Sequence, residues 1–281
     1  MKVSGATIVR NAIKYGYPVV EAIHSVLPIC DEYIVNVGDS SDGTLDLIRS
    51  INDPKIKIVE RVWDMSLGKE VLSVETNFAM SQCKGDWIFY NQTDEIIHEE
   101  DLPRIKEYME RYLDDPKVDA FQFRWIHFYG SFYRYRIDAG WFQKQARVIR
   151  NNGKYESHDD AYGFRHKDGT SLKALKTPFF IYHYGWVHSP QLMASRAKNA
   201  HAIGYNPVLK EKEKKPEYDY GDLLRFPVYF GTHPAVMKHL IEAHIVSQQD
   251  WQKIVRQYWW NPLLWFRVRY KTGRRIKKAV I

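Results

Sequence analysis

The sequence predicts an α/β fold: a mostly parallel central sheet flanked by helices, with a helical, basic C-terminal tail. Three observations carry this expectation. Short apolar runs alternate with segments of helical periodicity through the first half of the chain. Turn-forming residues separate them. Polar residues collect just after the apolar runs, at the strand ends where ligands bind such sheets.

The elements follow in order. Residues 3–9 form an apolar strand candidate, and Val19, Val20, Ala22, Ile23, Val26 and Leu27 recur at helical spacing. Residues 33–37 give a second strand. The turn Ser40-Ser41-Asp42-Gly43-Thr44 then opens a helix through Leu45, Leu47, Ile48 and Ile51. Residues 56–59 read as a third strand, 68–83 as a helix closed by a left-handed Gly85, and 87–91 as a fourth strand. Pro103 suits a first helical position, and Ile105, Tyr108, Met109, Tyr112 and Leu113 form one apolar stripe behind it. Residues 118–124 return as a strand. This pattern puts Arg10, Asn11, Gly38, Asp39 and residues 92–95 along one rim.

The second half is less regular. Residues 122–141 are crowded with aromatic and basic side chains, and 146–150 and 178–184 read as further strands. Ser189-Pro190 caps and begins a helix to about residue 203. Residues 210–222 are a charged loop, and Asn261-Pro262 opens a last amphipathic helix. No repeat or linker breaks the chain, so its parts are expected to form one fused unit: 1–125, 126–235 and a C-terminal helical extension over 236–281.

The net charge of +7 is local. Residues 267–281 hold seven of the 41 basic residues and no acid, and the remaining 34 match the 34 acidic residues. A near-neutral body argues against nucleic acid as the partner. The tail, with Trp259, Trp260, Trp265 and Phe266 before its basic run, suits an anionic membrane surface or a docked helix. Cys30 and Cys83 form no CxxC pair and read as reduced, buried thiols. No signal peptide and no spanning run of apolar residues is seen. The expected location is cytoplasmic, with the tail reaching the inner face of the membrane.

Four segments carry a resemblance. They are the strand ending in Arg10-Asn11, the turn Val37-Gly38-Asp39-Ser40-Ser41-Asp42-Gly43-Thr44, Asn77 followed by Gly85-Asp86-Trp87-Ile88, and Gln92-Thr93-Asp94-Glu95. In order and spacing they resemble glycosyltransferase family 2, inverting nucleotide-sugar transferases of the Rossmann-like GT-A fold. The resemblance covers roughly the first 125 residues. It implies that 1–125 binds the nucleotide-sugar and that 126–235 binds a glycan or lipid-linked acceptor. It also implies a place in polysaccharide biosynthesis.

The chemistry explains these residue types. A nucleotide-sugar leaves as a diphosphate, and a divalent cation stabilises the charge that grows on it. Asp94 stands where the family holds that ion, Mg or Mn, and His183 is a second ligand candidate, with His188 a weaker one. Gln92 replaces the first aspartate of the family's D-x-D, which puts metal dependence in question. Arg10, Asn11, Asp39, Lys69, Gln92 and Thr93 are expected around the nucleotide. Asp39 either contacts the base or ribose or only forms an Asx-turn. Asp42-Gly43-Thr44 reads as a helix-start device.

Inversion needs a general base opposite the leaving group. In Glu156-Ser157-His158-Asp159-Asp160, Asp159 is favoured, with Asp160 and Glu156 as rivals. Trp125, Phe128, Tyr129, Phe132, Tyr133, Tyr135 and Trp141 offer flat rings for sugars, although core packing accounts for at least half of them. Arg134 or Arg136 suits an anionic acceptor, and Arg147 a diphosphate. Two other functions share these features. One is a nucleotidyltransferase, for which Val9-Arg10-Asn11-Ala12 lacks the expected glycines. The other is a non-catalytic sugar- or nucleotide-binding relative, which Gln92 favours.

Overall fold

The computed structural model describes residues 1–137, 141, 144–204 and 215–243. The tail expectation, membrane contact included, lies outside them. Eleven strands are β1 (Val3–Val9), β2 (Glu32–Gly38), β3 (Ile56–Arg61), β4 (Trp87–Tyr90), β5 (Glu95–Ile97), β6 (Ala120–Tyr129), β7 (Tyr135–Arg136), β8 (Lys144–Arg150), β9 (Tyr155–His158), β10 (Gly163–His166) and β11 (Ala174–Trp186). The α-helices are α1 (Ala12–Tyr15), α2 (Val19–Val26), α3 (Thr44–Arg49), α4 (Val71–Ser81), α5 (Leu102–Arg111), α6 (Pro190–Ala202) and α7 (Lys238–Ala243).

Nine strands make one sheet in the order β3-β2-β1-β4-β8-β6-β11-β5, with β7 on β6. The first four in that order are parallel, as the alternating pattern predicts. The second half then departs from an all-parallel sheet. β8 inserts antiparallel between β4 and β6, and β5 closes the far edge antiparallel to β11. The β6–β11 pair is again parallel.

Layers cover both faces. α2 and α5 pack Val19, Ile23, Val26, Ile105 and Met109 on one side against Phe89, Phe121 and Val148. α4 and the β9–β10 ribbon pack Val71, Ala79, Met80 and Phe164 on the other, against Ala6, Ile88 and Ile149. Every residue of β1 and β2 is buried, as a strand covered on both faces requires. Among the described residues, no helix is long and apolar enough to cross a membrane.

Two local expectations change. The segment 68–83 is not one helix: a 3-10 turn over Met65–Glu70 contains Gly68 at φ 60°, ψ −137°, and α4 starts after it. Gly85 does not take a left-handed conformation to end α4. A Cβ there would lie 2.7 Å from the Ser4 backbone nitrogen, so the glycine serves a close approach to β1. α6 starts as the sequence predicts, with Ser189 Oγ accepting from Leu192 N at 3.3 Å and Pro190 in the first turn. Cys30 and Cys83 are free and buried.

Candidate active site

The carboxyl ends of β1 and β4, the late part of β11 and the inner face of α6 enclose a cleft of about 480 Å³. That is a normal size for a small-molecule site. Arg10, Asn11, Gln92, Thr93, Asp94, Asp160 and His183 all line it. Residues far apart in sequence therefore converge on one place.

Asp94 follows β4 on a short loop and begins the turn into β5. Its backbone carbonyl accepts from Tyr184 N at 2.9 Å, which ties the loop to β11. One residue earlier on β11, His183 puts Nε2 3.7 Å from Asp94 Oδ2. Gly185 explains how the two can share space: a Cβ there would lie 2.4 Å from Asp94 Oδ2 and 2.8 Å from His183 Nε2. The gap between the two donors exists because residue 185 has no side chain.

Burial pushes the Asp94 carboxyl above its usual range, against the opposing pull of Arg196. Burial pushes the His183 imidazole down to about 4, with Glu95 opposing the shift. His183 is thus neutral at pH 7. Its Nδ1 meets His127 Nδ1 at 3.0 Å, and its ring stacks on Trp125 at 5.5 Å.

These residues fit a divalent ion. A carboxylate oxygen and a neutral imidazole are suitable donors, and two ligands at about 2.1 Å each span at most about 4.2 Å. No cluster of three or more His, Cys, Asp or Glu suited to a metal occurs among the described residues. An ion here would therefore take its remaining ligands from substrate oxygens and water, as magnesium commonly does.

Arg196, on α6, was not anticipated from the sequence. Its Nη2 donates to Asp94 Oδ2 at 3.2 Å, and its guanidinium lies 4.1 Å from the Tyr17 ring centroid. Among the described residues its buried Nη1 has no hydrogen-bond partner. Leaving such a donor unmade costs about 1–3 kcal/mol or more. The burial of Met193, Ala194 and Ala197 around it is the signal that would have found it, since an arginine on a buried helix face needs a partner.

The fully buried pair Glu95–Arg147 underlies the Asp94 loop. Arg147 is therefore committed to Glu95 and does not reach the cleft. Glu95 Oε2 also accepts from Gln92 N at 3.2 Å. The Gln92 side chain donates to Ala161 O at 3.2 Å. It thus links the strand tip to the turn between β9 and β10.

That turn carries the acidic cluster. Asn77 holds β9 through both backbone groups of Ser157, at 2.7 and 2.9 Å, and Arg147 Nη1 donates to Tyr162 O at 3.1 Å. Asp159 and Ala161 adopt φ of 51° and 59°, a conformation rare outside glycine. The turn brings Asp160 into the cleft lining, with Oδ1 buried and without a hydrogen-bond partner among the described residues. Burial raises its carboxyl above the usual range, against nearby backbone N–H groups and Lys69. Asp159 is exposed outside the lining and pairs with His158 Nδ1 at 2.8 Å, a contact that lowers its carboxyl. Glu156 pairs with Arg165 at 2.9 Å on the ribbon. Lys69 lies in the Met65–Glu70 turn, outside the lining.

At the other end of the cleft, Arg10 bonds Asp39 at 3.2 and 3.3 Å; Asp39 itself is not part of the lining and accepts from Trp63 N at 3.2 Å. Burial works against ionisation there, but Arg10 and that N–H hold the carboxyl below its usual range. Asn11, at φ 54°, accepts from Ser41 N at 2.9 Å and so pins the loop after β2. Asp42 accepts from Thr44 N and Lys14 N, which is the helix-start role the sequence suggests. Of the aromatic residues, Phe128, Phe132 and Tyr135 are core, and Trp125 and Trp141 line the cleft. Arg134 is buried and donates to Phe226 O at 2.7 Å, while Arg136 lies over the Trp141 ring at 4.6 Å. His188 is not part of the lining.

Comparison with known proteins adds three findings. The sequence model described as Glycosyl transferase family 2 matches residues 8–172. An uncharacterized glycosyltransferase of Rickettsia bellii (strain RML369-C) is 26% identical over 199 residues, which cover 69% of this chain. The match spans only 63% of that relative's length. Residues 1–349 of S. aureus TarS, crystallised with UDP-GlcNAc, are 16% identical with a TM-score of 0.43, covering 76% of this chain and 69% of that one. Glucosyl-3-phosphoglycerate synthase from Mycobacterium tuberculosis, crystallised with Mn2+, UDP and phosphoglyceric acid, is 15% identical with a TM-score of 0.32, covering 45% and 43%.

Proposed function

The chain belongs to glycosyl transferase family 2, with the curled sheet and flanking helices of the GT-A fold, and from that premise we propose an inverting sugar transfer. The donor is a nucleotide-diphosphate sugar. The acceptor is a hydroxyl of a glycan or lipid-linked precursor, as in polysaccharide synthesis. The observation behind this reading is the meeting of Asp94 and His183, 3.7 Å apart, where the end of β4 and the late part of β11 border a cleft that Asp160 also lines.

The residues take these roles. Arg10, Asn11 and Asp39 seat the nucleotide at the β1–β2 end, and Gln92 and Thr93 face the ribose and diphosphate. Asp94 and His183 would hold a divalent Mg or Mn ion, which when bound neutralises charge on the departing diphosphate. The 1–125 part serves the donor, and 126–235 serves the acceptor while also lending His183 to the donor's diphosphate, with Trp125 and Trp141 as apolar surfaces for sugar rings.

Asp160 replaces Asp159 as our choice of general base, because it faces the cleft and Asp159 does not. The acceptor oxygen attacks the anomeric carbon as the bond from that carbon to the phosphate oxygen breaks. The bonding pair leaves on the diphosphate, and the hydroxyl proton passes to the Asp160 carboxylate. A carboxyl raised by burial is a better proton acceptor near neutrality than an exposed one.

A non-transferring sugar-nucleotide binder is the second reading. It is favoured by Gln92, an uncharged residue whose amide is already bonded to Ala161. Thermal-shift screening with UDP-, GDP-, dTDP- and CMP-sugars plus manganese tests both, because a ligand specific to the folded state raises its melting temperature. A shift with one donor, followed by its manganese-dependent hydrolysis and an inverted anomer by NMR, supports transfer. A shift without turnover supports the binder, and no shift with any donor contradicts both.

A further inference from the structure

We propose that Arg196 is a cation built into the site, holding the donor's diphosphate through Nη1 beside Asp94 even when no divalent ion is bound. The proposal rests on the reading of the cleft as a nucleotide-sugar site. Arg196 lies outside the residues 8–172 that match the family. It is a feature of this chain that the family match does not supply.

The geometry points to an anion at Nη1. A guanidinium carries five N–H donors and stays charged at any relevant pH. Nη2 is used by Asp94 at 3.2 Å, and the plane of the group is held by Tyr17. Arg196 lines the cleft, and its Nη1 is buried with no hydrogen-bond partner among the described residues. The residue is 8% exposed, so water is a poor substitute partner. Phosphate oxygens suit a fork of parallel N–H donors.

The neighbouring cations are otherwise engaged. Arg10 places both of its contacts on Asp39, and Arg147 is paired with Glu95 beneath the loop. Lys69 lies outside the lining.

Charge balance gives the consequence. The resemblance to the family puts a second carboxylate where this chain has Gln92. Here one carboxylate, Asp94, faces one guanidinium, Arg196, at 3.2 Å. That pair offsets its own charge before any ion or donor arrives. Such a centre attracts a divalent ion less and repels a diphosphate less than a pair of carboxylates does. Asp94 and the diphosphate then compete for the same guanidinium.

Titration calorimetry with inorganic pyrophosphate and UDP tests this on the full chain, in EDTA and again with manganese. Wild type is expected to bind both probes in EDTA. R196Q should weaken that binding by about tenfold or more, and R196K should restore part of it. D94N should bind at least as tightly as wild type in EDTA, because it frees the guanidinium from its counter-ion. If R196Q does not fold, R196K and D94N decide the matter by the same signs. Equal affinities of R196Q and wild type, or a weaker D94N in EDTA, overturn the proposal. Binding only with manganese overturns it while leaving the site reading intact. No binding of UDP under either condition overturns both.

Discussion

Arg147 meets Glu95 at two points inside the sheet, Nε to Oε2 at 2.7 Å and Nη2 to Oε1 at 2.8 Å, with neither side chain exposed to solvent. The pair joins β8 to the start of β5, next to Asp94. Because Glu95 Oε2 also accepts from Gln92 N, the loop 92–94 is pinned from beneath. The position of the proposed metal ligand depends on a contact that never touches substrate.

Breaking this pair from one side should therefore be severe. R147M leaves a buried carboxylate alone and is expected to cost about 3–5 kcal/mol of stability. Urea denaturation measures it. The double variant E95L/R147M should recover part of the loss, because no charge is then left unpaired. A loss under 1 kcal/mol in R147M contradicts the role given to the pair.

The choice between the two neighbouring aspartates is testable by rate. D160N should lower kcat by about 10²–10⁴-fold with little change in KM for the donor. D159N should change kcat by less than about fivefold, because its side chain faces solvent. The reverse ranking would restore Asp159 as the base.

Gly185 should tolerate no side chain. G185A places a methyl against Asp94 Oδ2 and His183 Nε2 and must push them apart. The variant is expected to keep its circular dichroism spectrum but lose the manganese-dependent part of any donor-induced thermal shift. An unchanged shift would mean that the gap between those atoms holds nothing.

Acid should destabilise the fold before the carboxylates titrate. Burial lowers His183 and His233 to about 4 each, against 6.5 when unfolded. Between those values the unfolded chain binds more protons, so stability rises with pH there. The melting temperature should fall as pH drops from about 6.5 towards 4. H233Q removes one of the two groups and should make that fall shallower. A profile in H233Q as steep as in wild type would contradict the assignment.

Much of the first half of the fold was legible because its signals are local. The alternation of β1, α2, β2, α3 and β3 follows from periodicity, and Ser189-Pro190 marks the start of α6. The sequence offers Asp94 at a strand tip and His183 on a late strand as metal-ligand candidates, and the fold brings the two side chains within 3.7 Å. The remainder needed tertiary structure. Nothing in Glu156-Ser157-His158-Asp159-Asp160 indicates which carboxylate turns inward; left-handed residues in the turn and clamps from Asn77, Gln92 and Arg147 decide it. Arg147 reads as a candidate for the diphosphate until Glu95 is found across the sheet. Arg196 lies 102 positions from Asp94, a separation no periodicity can bridge. The antiparallel insertion of β8 was hidden because a short apolar strand carries no sign of its direction.

The most direct measurement is a crystal of the chain soaked with manganese and the donor chosen by thermal shift, with anomalous data collected at the manganese edge. The account predicts an anomalous peak between Asp94 Oδ2 and His183 Nε2, with diphosphate density beside it. Diphosphate bound away from Asp94, with no peak between those two atoms, would contradict it.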